Sequence, residues 1–115
     1  MKEIRLFPRY DIRKLKSPIE VDYQIKSEWT IKDIGLGGLQ IRSKNPITLN
    51  ETNKRIKILL FGKEEVFLNI TQMWTEERKD EYLSGFKLYF DDMQMFVRWR
   101  NILKALHIVL NKKRN

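Results

Sequence analysis

Arg5, Arg9 and Arg13 stand four residues apart near the start of the chain, so the pattern R-x-x-x-R occurs twice over. An arginine carries a planar fork of N–H donors that fits a phosphate and can also lie flat on an aromatic base. Downstream, Lys32 to Ile41 reads "KDIGLGGLQI", an aspartate followed by three glycines in four positions. A carboxylate accepts hydrogen bonds from N–H groups, and glycine lets the backbone approach a bound group closely and take positive φ. Successive N–H groups in "GLGG" could form a small anion-binding nest. The chemistry on offer is capture of an anionic, hydrogen-bonding molecule. The arginine spacing alone carries little weight, because nine arginines in 115 residues give roughly 0.7 chance occurrences of it.

The charge balance fits an anionic partner. Lysine and arginine number 23 against 15 aspartates and glutamates, a net charge of +8, which suits nucleic acid, a membrane surface or a phosphorylated small molecule. The excess sits at the two ends. Met1 to Pro18 holds Lys2, Arg5, Arg9, Arg13, Lys14 and Lys16 against Glu3 and Asp11, and Asp91 to Asn115 holds six bases against Asp91 and Asp92. Without cysteine there is no disulfide or thiolate metal site. No apolar run approaches the roughly 18 residues of a membrane span, and "MKEIRLFPRY" does not read as a signal peptide. A cytoplasmic location is the expectation.

Catalytic signals are weak, and the expectation is that the chain is not an enzyme. His107 is the sole histidine and has no cysteine or serine constellation around it. Asp91-Asp92 and Glu64-Glu65 read more simply as a helix cap and a solvated turn than as metal ligands. "GLGG" matches neither the phosphate loop G-x-x-x-x-G-K-[ST] nor the dinucleotide fingerprint G-x-G-x-x-G.

The elements that must position these residues follow from periodicity. Residues 1–17, interrupted by Pro8, read as an extended, mobile, basic arm. From residue 18 the apolar residues recur every second position. "IEVDYQI" puts Ile19, Val21, Tyr23 and Ile25 on one face of a first strand. Five more strands follow, with Trp29 and Ile31 inward, then Leu39 and Ile41, then Ile56, Ile58 and Leu60, then Val66, Leu68, Ile70 and Trp74, then Phe86, Leu88 and Phe90. "NPITLNETN" and "FGKEE" are turns, and "EERKDE" is a polar hairpin tip. Asp91 and Asp92 mark a helix start, as N-cap and first-turn acid. Met95, Phe96, Trp99, Ile102, Leu103, Leu106, Val109 and Leu110 then form a helical stripe, with Val97 and Ile108 outside it and open to a partner. The fold class expected is mainly β: a six-stranded antiparallel barrel over 18–90, a C-terminal α-helix over 92–110 and the arm over 1–17, all one domain.

Taken in order, these features resemble the PilZ domain family of bacterial cyclic di-GMP receptors. The family has an R-x-x-x-R arm, then D/N-x-S-x-x-G, on a six-stranded barrel. "KDIGLGGLQI" looks like its "v-D-i-S-l-g-G-l-r-i", "MWTEE" is similar to its later "v-v-W" strand end, and "YLSGFKLYF" looks like its "y-r-v-G-v-r-F". The resemblance covers nearly the whole chain and rests on the order of short motifs. It implies a receptor or adaptor with cyclic di-GMP as ligand and no cofactor. The arm closes over the ligand and signals to a downstream protein partner, with no specific nucleic acid and a monomer or weak homodimer as the assembly. The implied ligand residues are Arg5 and Arg9 on phosphate and base, Asp33 on the guanine N–H edge, and Gly35 and Gly38 in the turn. Arg9 with Arg13 is the other arginine register, and Arg13 stands as a third candidate. Ile4 occupies the place where ligand-dimer binders carry a further arginine, which points to one ligand molecule.

One position departs from the pattern. The family's serine is Gly35 here, so a hydroxyl is missing. A neutral hydrogen bond contributes about 0.5–1.5 kcal/mol net and one to a charged group about 1.5–3, so the loss weakens binding without abolishing it. Two other readings stay open: a PilZ-like adaptor that binds no nucleotide, and a basic β-barrel that binds nucleic acid. The second needs exposed aromatics beside basic residues, whereas Trp29 and Trp74 follow the inward pattern.

Overall fold

Strands account for about half of the described residues. A computed structural model describes residues 9–13, 15–49 and 53–112. It contains strands β1 (Arg9–Asp11), β2 (Ile19–Val21), β3 (Gln24–Ile25), β4 (Trp29–Gly35), β5 (Gly38–Ser43), β6 (Lys54–Leu60), β7 (Glu64–Arg78) and β8 (Glu81–Tyr89), then helix α1 (Met93–Lys112). All eight strands join one sheet in the order β1-β4-β5-β8-β7-β6-β2-β3, with every neighbouring pair antiparallel. Among the described residues the sheet does not close by hydrogen bonds, and β1 and β3 are its edges. One face of the strands converges on a single core that includes Ile34, Leu39, Ile41, Ile58 and Ile70, each fully buried. Trp99 and Leu106 of α1 complete that core.

The expected six-stranded barrel is therefore corrected to eight strands in an open sheet, and two local causes account for the difference. The run "IEVDYQI" is not one strand. Asp22 and Tyr23 have φ of 52° and 66°, the pair of left-handed residues of a two-residue hairpin turn. The turn folds β3 back on β2, leaving Tyr23 97% and Ile25 66% exposed rather than on the inner face. The second extra strand comes from the arm. Arg9, Tyr10 and Asp11 pair with Gly35, Ile34 and Asp33 of β4, and Ile12 is buried in the core. The expected mobile arm is thus docked from Arg9 onward, while residues 1–8, including Arg5, lie outside the described residues.

Two β-bulges matter more for function than the strand count. The β4–β5 pairing slips between Ile31 and Asp33, and the β7–β8 pairing slips between Gln72 and Trp74. An extra residue inverts the in–out alternation beyond it. Strict alternation from Ile31 would aim Asp33 into the core. The bulge at Lys32 sends Asp33 outward and Ile34 inward instead. The bulge at Met73 does the same for Trp74, which was expected inside and is 40% exposed on the outer face.

Helix α1 begins as its sequence requires, with one adjustment. Asp92 is the cap, its Oδ1 accepting from the Met95 backbone N–H at 2.8 Å. The cap is thus one residue later than expected: Asp92 is not a first-turn acid, and Asp91 precedes the cap and accepts from the Asn69 amide at 3.0 Å. The helix runs to Lys112, two residues beyond its expected end. Its tie to the sheet is specific: the buried Trp99 indole N–H donates to the carbonyl of Gly35 at 3.0 Å.

Candidate functional site

Strand register lays out a site on the outer face. Asp11 stands opposite Asp33, Asp33 opposite Gln40, Gln40 opposite Gly85, and Gly85 opposite Trp74. These residues form one transverse row across β1, β4, β5, β8 and β7. Beside it lies Arg9, opposite Gly35, and then Gly38, opposite Lys87. Between them opens a groove of about 330 Å³ lined by Arg9, Gly38, Gln40, Met73, Trp74 and Lys87, among others. Both bulges shape this face: without them Trp74, which lines the groove, and Asp33, which is paired to the groove's Arg9, would face the core.

Two glycines shape it. A Cβ on Gly85 would collide with the Trp74 ring at Cε2 and Nε1, so glycine here is what lets the indole lie against the sheet. A Cβ on Gly38 would come within 2.8 Å of the Phe86 carbonyl oxygen and 3.5 Å of the Arg9 Nη2. Gly38 thus serves close approach, but the positive φ expected for it is absent. Gly62 is the one glycine with positive φ among the described residues. No residue of "GLGG" has a left-handed φ, so the αR–αL form of the expected anion nest is absent there. Instead the turn is tied to β8, where the Leu88 N–H donates to the Gly37 carbonyl at 3.0 Å.

Charge is arranged in pairs. Arg9 gives Nη1 to Asp33 Oδ1 at 3.0 Å, and its side chain is 30% exposed. Arg13 forks onto Asp11, with Nε 3.0 Å from each carboxylate oxygen and Nη2 2.6 Å from Oδ2. Like charges directly opposite each other across strands are unfavourable, and here each carboxylate of the Asp11–Asp33 pair has its own arginine. Hydrogen bonds from the Arg13 side chain hold the Asp11 carboxyl below its ordinary value of 3.8. A lowered folded-state pKa contributes stability above the unfolded value and loses it as pH falls through the folded value. Asp11→Asn is therefore expected to cost less than about 1 kcal/mol at neutral pH, as exposed ion pairs do. Urea unfolding of both proteins should show that gap closing as pH drops below 3.8.

Of the residues singled out from sequence, Arg9, Asp33, Gly35 and Gly38 come together. Arg13 lies one ion pair away, on Asp11. Gly35 is buried without a left-handed φ, and as the residue two beyond Asp33 it presents its α-carbon to the same outer face. Sequence reasoning missed Gln40, Met73, Trp74 and Lys87. Gln40 was within reach, since the alternation of Leu39 and Ile41 already turned it outward. Its Oε1 is buried without a hydrogen-bond partner, and the residue lines the groove. Among the described residues no cluster of histidine, cysteine and acidic side chains could hold a metal ion, and no helix is long and apolar enough to cross a membrane.

An open antiparallel sheet wrapped on one core, with an edge strand and glycine turn on its outer face and a helix against its inner one, is a fold already seen in solved structures. One is the K. pneumonia MrkH–cyclic di-GMP complex, which superposes with a TM-score of 0.72 at 18% sequence identity. The match takes in 98% of this chain and 56% of that one, so this chain spans little more than half its length. At that identity the likeness is one of fold. No protein-family model and no curated protein matches the chain.

Proposed function

We propose that the protein is a cyclic di-GMP receptor of the PilZ kind that binds its ligand in the outer-face groove. The carrying observation is that two bulges turn Asp33 and Trp74 outward onto the face where Arg9 lies over Gly38. Support also comes from the order of the R-x-x-x-R and D-x-x-x-x-G motifs and from the fold shared with a protein solved with cyclic di-GMP. In this reading Arg9, with Arg5 preceding it, forks onto a phosphate. Asp33 accepts from a guanine N–H edge, Gln40 Oε1 accepts a further N–H, and the Trp74 face carries a base. The Arg9–Asp33 ion pair holds both groups in place beforehand, which reduces the ordering cost on binding. A downstream protein partner reads the bound state.

Calorimetric titration with cyclic di-GMP tests this. Saturable binding that disappears in Asp33→Ala supports it, and no heat at tens of micromolar ligand with folded protein overturns it. Base–aromatic stacking contributes about 1–3 kcal/mol, so Trp74→Ala is expected to weaken binding about tenfold in the same titration. Trp74 fluorescence should respond to ligand in the unaltered protein.

Gly35 favours a second reading, an adaptor that binds no nucleotide. No hydroxyl stands opposite Arg9 on β4, where the family carries its serine. The two readings part on Gly35→Ser. Since Gly35 does not use a left-handed φ, the serine should tighten binding two- to tenfold, the worth of one neutral hydrogen bond. A nucleic-acid reading regains ground from Trp74, an exposed aromatic beside Arg9 and Lys87. Salt-dependent binding of single-stranded DNA in place of cyclic di-GMP would favour it.

A further inference from the structure

A second and larger groove, of about 720 Å³, lies away from the outer-face site, between α1 and the turn that joins β6 to β7. Its apolar lining is Phe61 from the turn and Met93, Val97, Ile102 and Ala105 from the helix. Met93 is 72% exposed and Phe61 37%. Met93, Val97, Asn101 and Ala105 follow one another at steps of four, so they form a single ridge along α1. The banks are basic. Lys63 and Arg98 line the groove itself, and the rest of the helix adds Arg100, Lys104 and Lys112 and no acid from Met93 to Lys112. Glu64 is the acid in the lining, and it is engaged by Arg98 at 3.1 Å.

The turn itself is costly in a telling way. Phe61 and Gly62 both have left-handed φ, 55° and 75°. They are the central pair of a turn that the Lys63 N–H closes on the Leu60 carbonyl at 3.1 Å, inside a loop that runs from Phe61 to Lys63 because Leu60 pairs with Glu64; a bulky side chain is strained at such a φ. Holding a phenylalanine in that conformation, beside an exposed methionine, has no counterpart benefit in the core. Tyr23 is held at a similar φ in the β2–β3 turn; what sets Phe61 apart is that it lines a groove, and strained residues cluster at binding surfaces.

We infer that this groove docks an amphipathic helix of a protein partner, with an apolar face and acidic flanks. The occupied length from Met93 to Ala105 is about 18 Å at 1.5 Å per residue, which matches three turns of a helix with anchors at i, i+3 or i+4, and i+7. Strand addition does not fit, because the sheet edges are β1 and β3 and neither borders the groove. A membrane surface does not fit either, because the floor at Ile102 is 8% exposed and recessed between two banks. The positive banks select for acidic flanks. The role of the docked helix as the receptor's output rests on the proposed function; the docking itself does not.

Panning a displayed random peptide library against the purified protein, with and without cyclic di-GMP, tests the inference. Enriched peptides should show apolar residues at helical spacing flanked by aspartate and glutamate. Their affinity, read by fluorescence polarisation, should fall at least tenfold in Val97→Asp and in Ala105→Glu and weaken with salt. Phe61→Asn should lose binding equally while thermal unfolding stays at or above that of the unaltered protein, which a purely structural Phe61 would not allow. It is overturned by no enrichment, by enriched peptides without acidic flanks, by affinity indifferent to all three variants, or by phosphatidylglycerol vesicles bound through Val97 with no peptide enriched. A dimer seen in sedimentation and dispersed by Val97→Asp assigns the groove to a second copy and likewise overturns it. Peptide binding with no heat from cyclic di-GMP sinks the receptor reading and leaves the groove's partner standing.

Discussion

Replacing Arg9 with alanine is expected to lower cyclic di-GMP affinity about 100-fold while the fold survives. Arg9 is a partly exposed edge-strand residue, so its side chain contributes little to the core. Its guanidinium lies over Gly38 and is steadied by Asp33. Hydrogen bonds to charged groups contribute about 1.5–3 kcal/mol each, and 1.4 kcal/mol is a factor of ten. Losing both arms of a fork, less what the arginine spends in partly leaving Asp33, comes to about 3 kcal/mol. Arg9→Lys should fall nearly as far, because an ammonium keeps the charge and loses the planar fork. Calorimetry on Arg13→Ala then decides the register. Arg13 is committed to Asp11, so its loss should cost under tenfold, and a larger loss than at Arg9 would move the site one turn of the motif along the chain.

Trp99→Ala should be the most damaging single change to the fold, at about 3–5 kcal/mol, measured by urea unfolding. The indole is 1% exposed, and its N–H is the partner of the Gly35 carbonyl. Alanine leaves a cavity and also a buried acceptor without a donor, a further cost of about 1–3 kcal/mol. Total stabilities of domains this size are about 5–15 kcal/mol, so the variant sits near the edge of folding. Trp99→Phe separates the two terms. It keeps most of the packing and loses the N–H, and the expected loss is about 1–2 kcal/mol. It should also weaken cyclic di-GMP binding a few-fold, since the released carbonyl belongs to the residue opposite Arg9. An unchanged affinity would mean that the helix merely seals the core.

Much of this was legible in the sequence. β6 and the first half of β7 follow strict alternation because each has one buried and one solvated face, and α1 declares itself through its stripe and Asp92 cap. What escaped was short or silent. Asp22-Tyr23 makes a hairpin turn without glycine, so "IEVDYQI" kept the look of one strand. β1 is three residues long, too few for a period to register. Arg9, Asp33, Gly35 and Gly38 were found through a family motif, and the expected roles of two of them shifted: Gly38 serves close approach without positive φ, and Gly35 anchors the helix through its carbonyl. Trp74 was assigned to the wrong face because a bulge adds a residue without any signature in residue type.

That last point bears on how such a site is inherited. Asp33 and Trp74 owe their outward aim to chain parity, one odd residue spent on each side of the groove. Any side chain at position 32 would preserve the odd count, whereas losing that residue altogether would carry the carboxylate indoors with every residue of the proposed site still in the sequence. Motif letters are thus a poor record of whether a relative keeps the groove. Insertions and deletions of one residue are where the proposed site would be gained or lost.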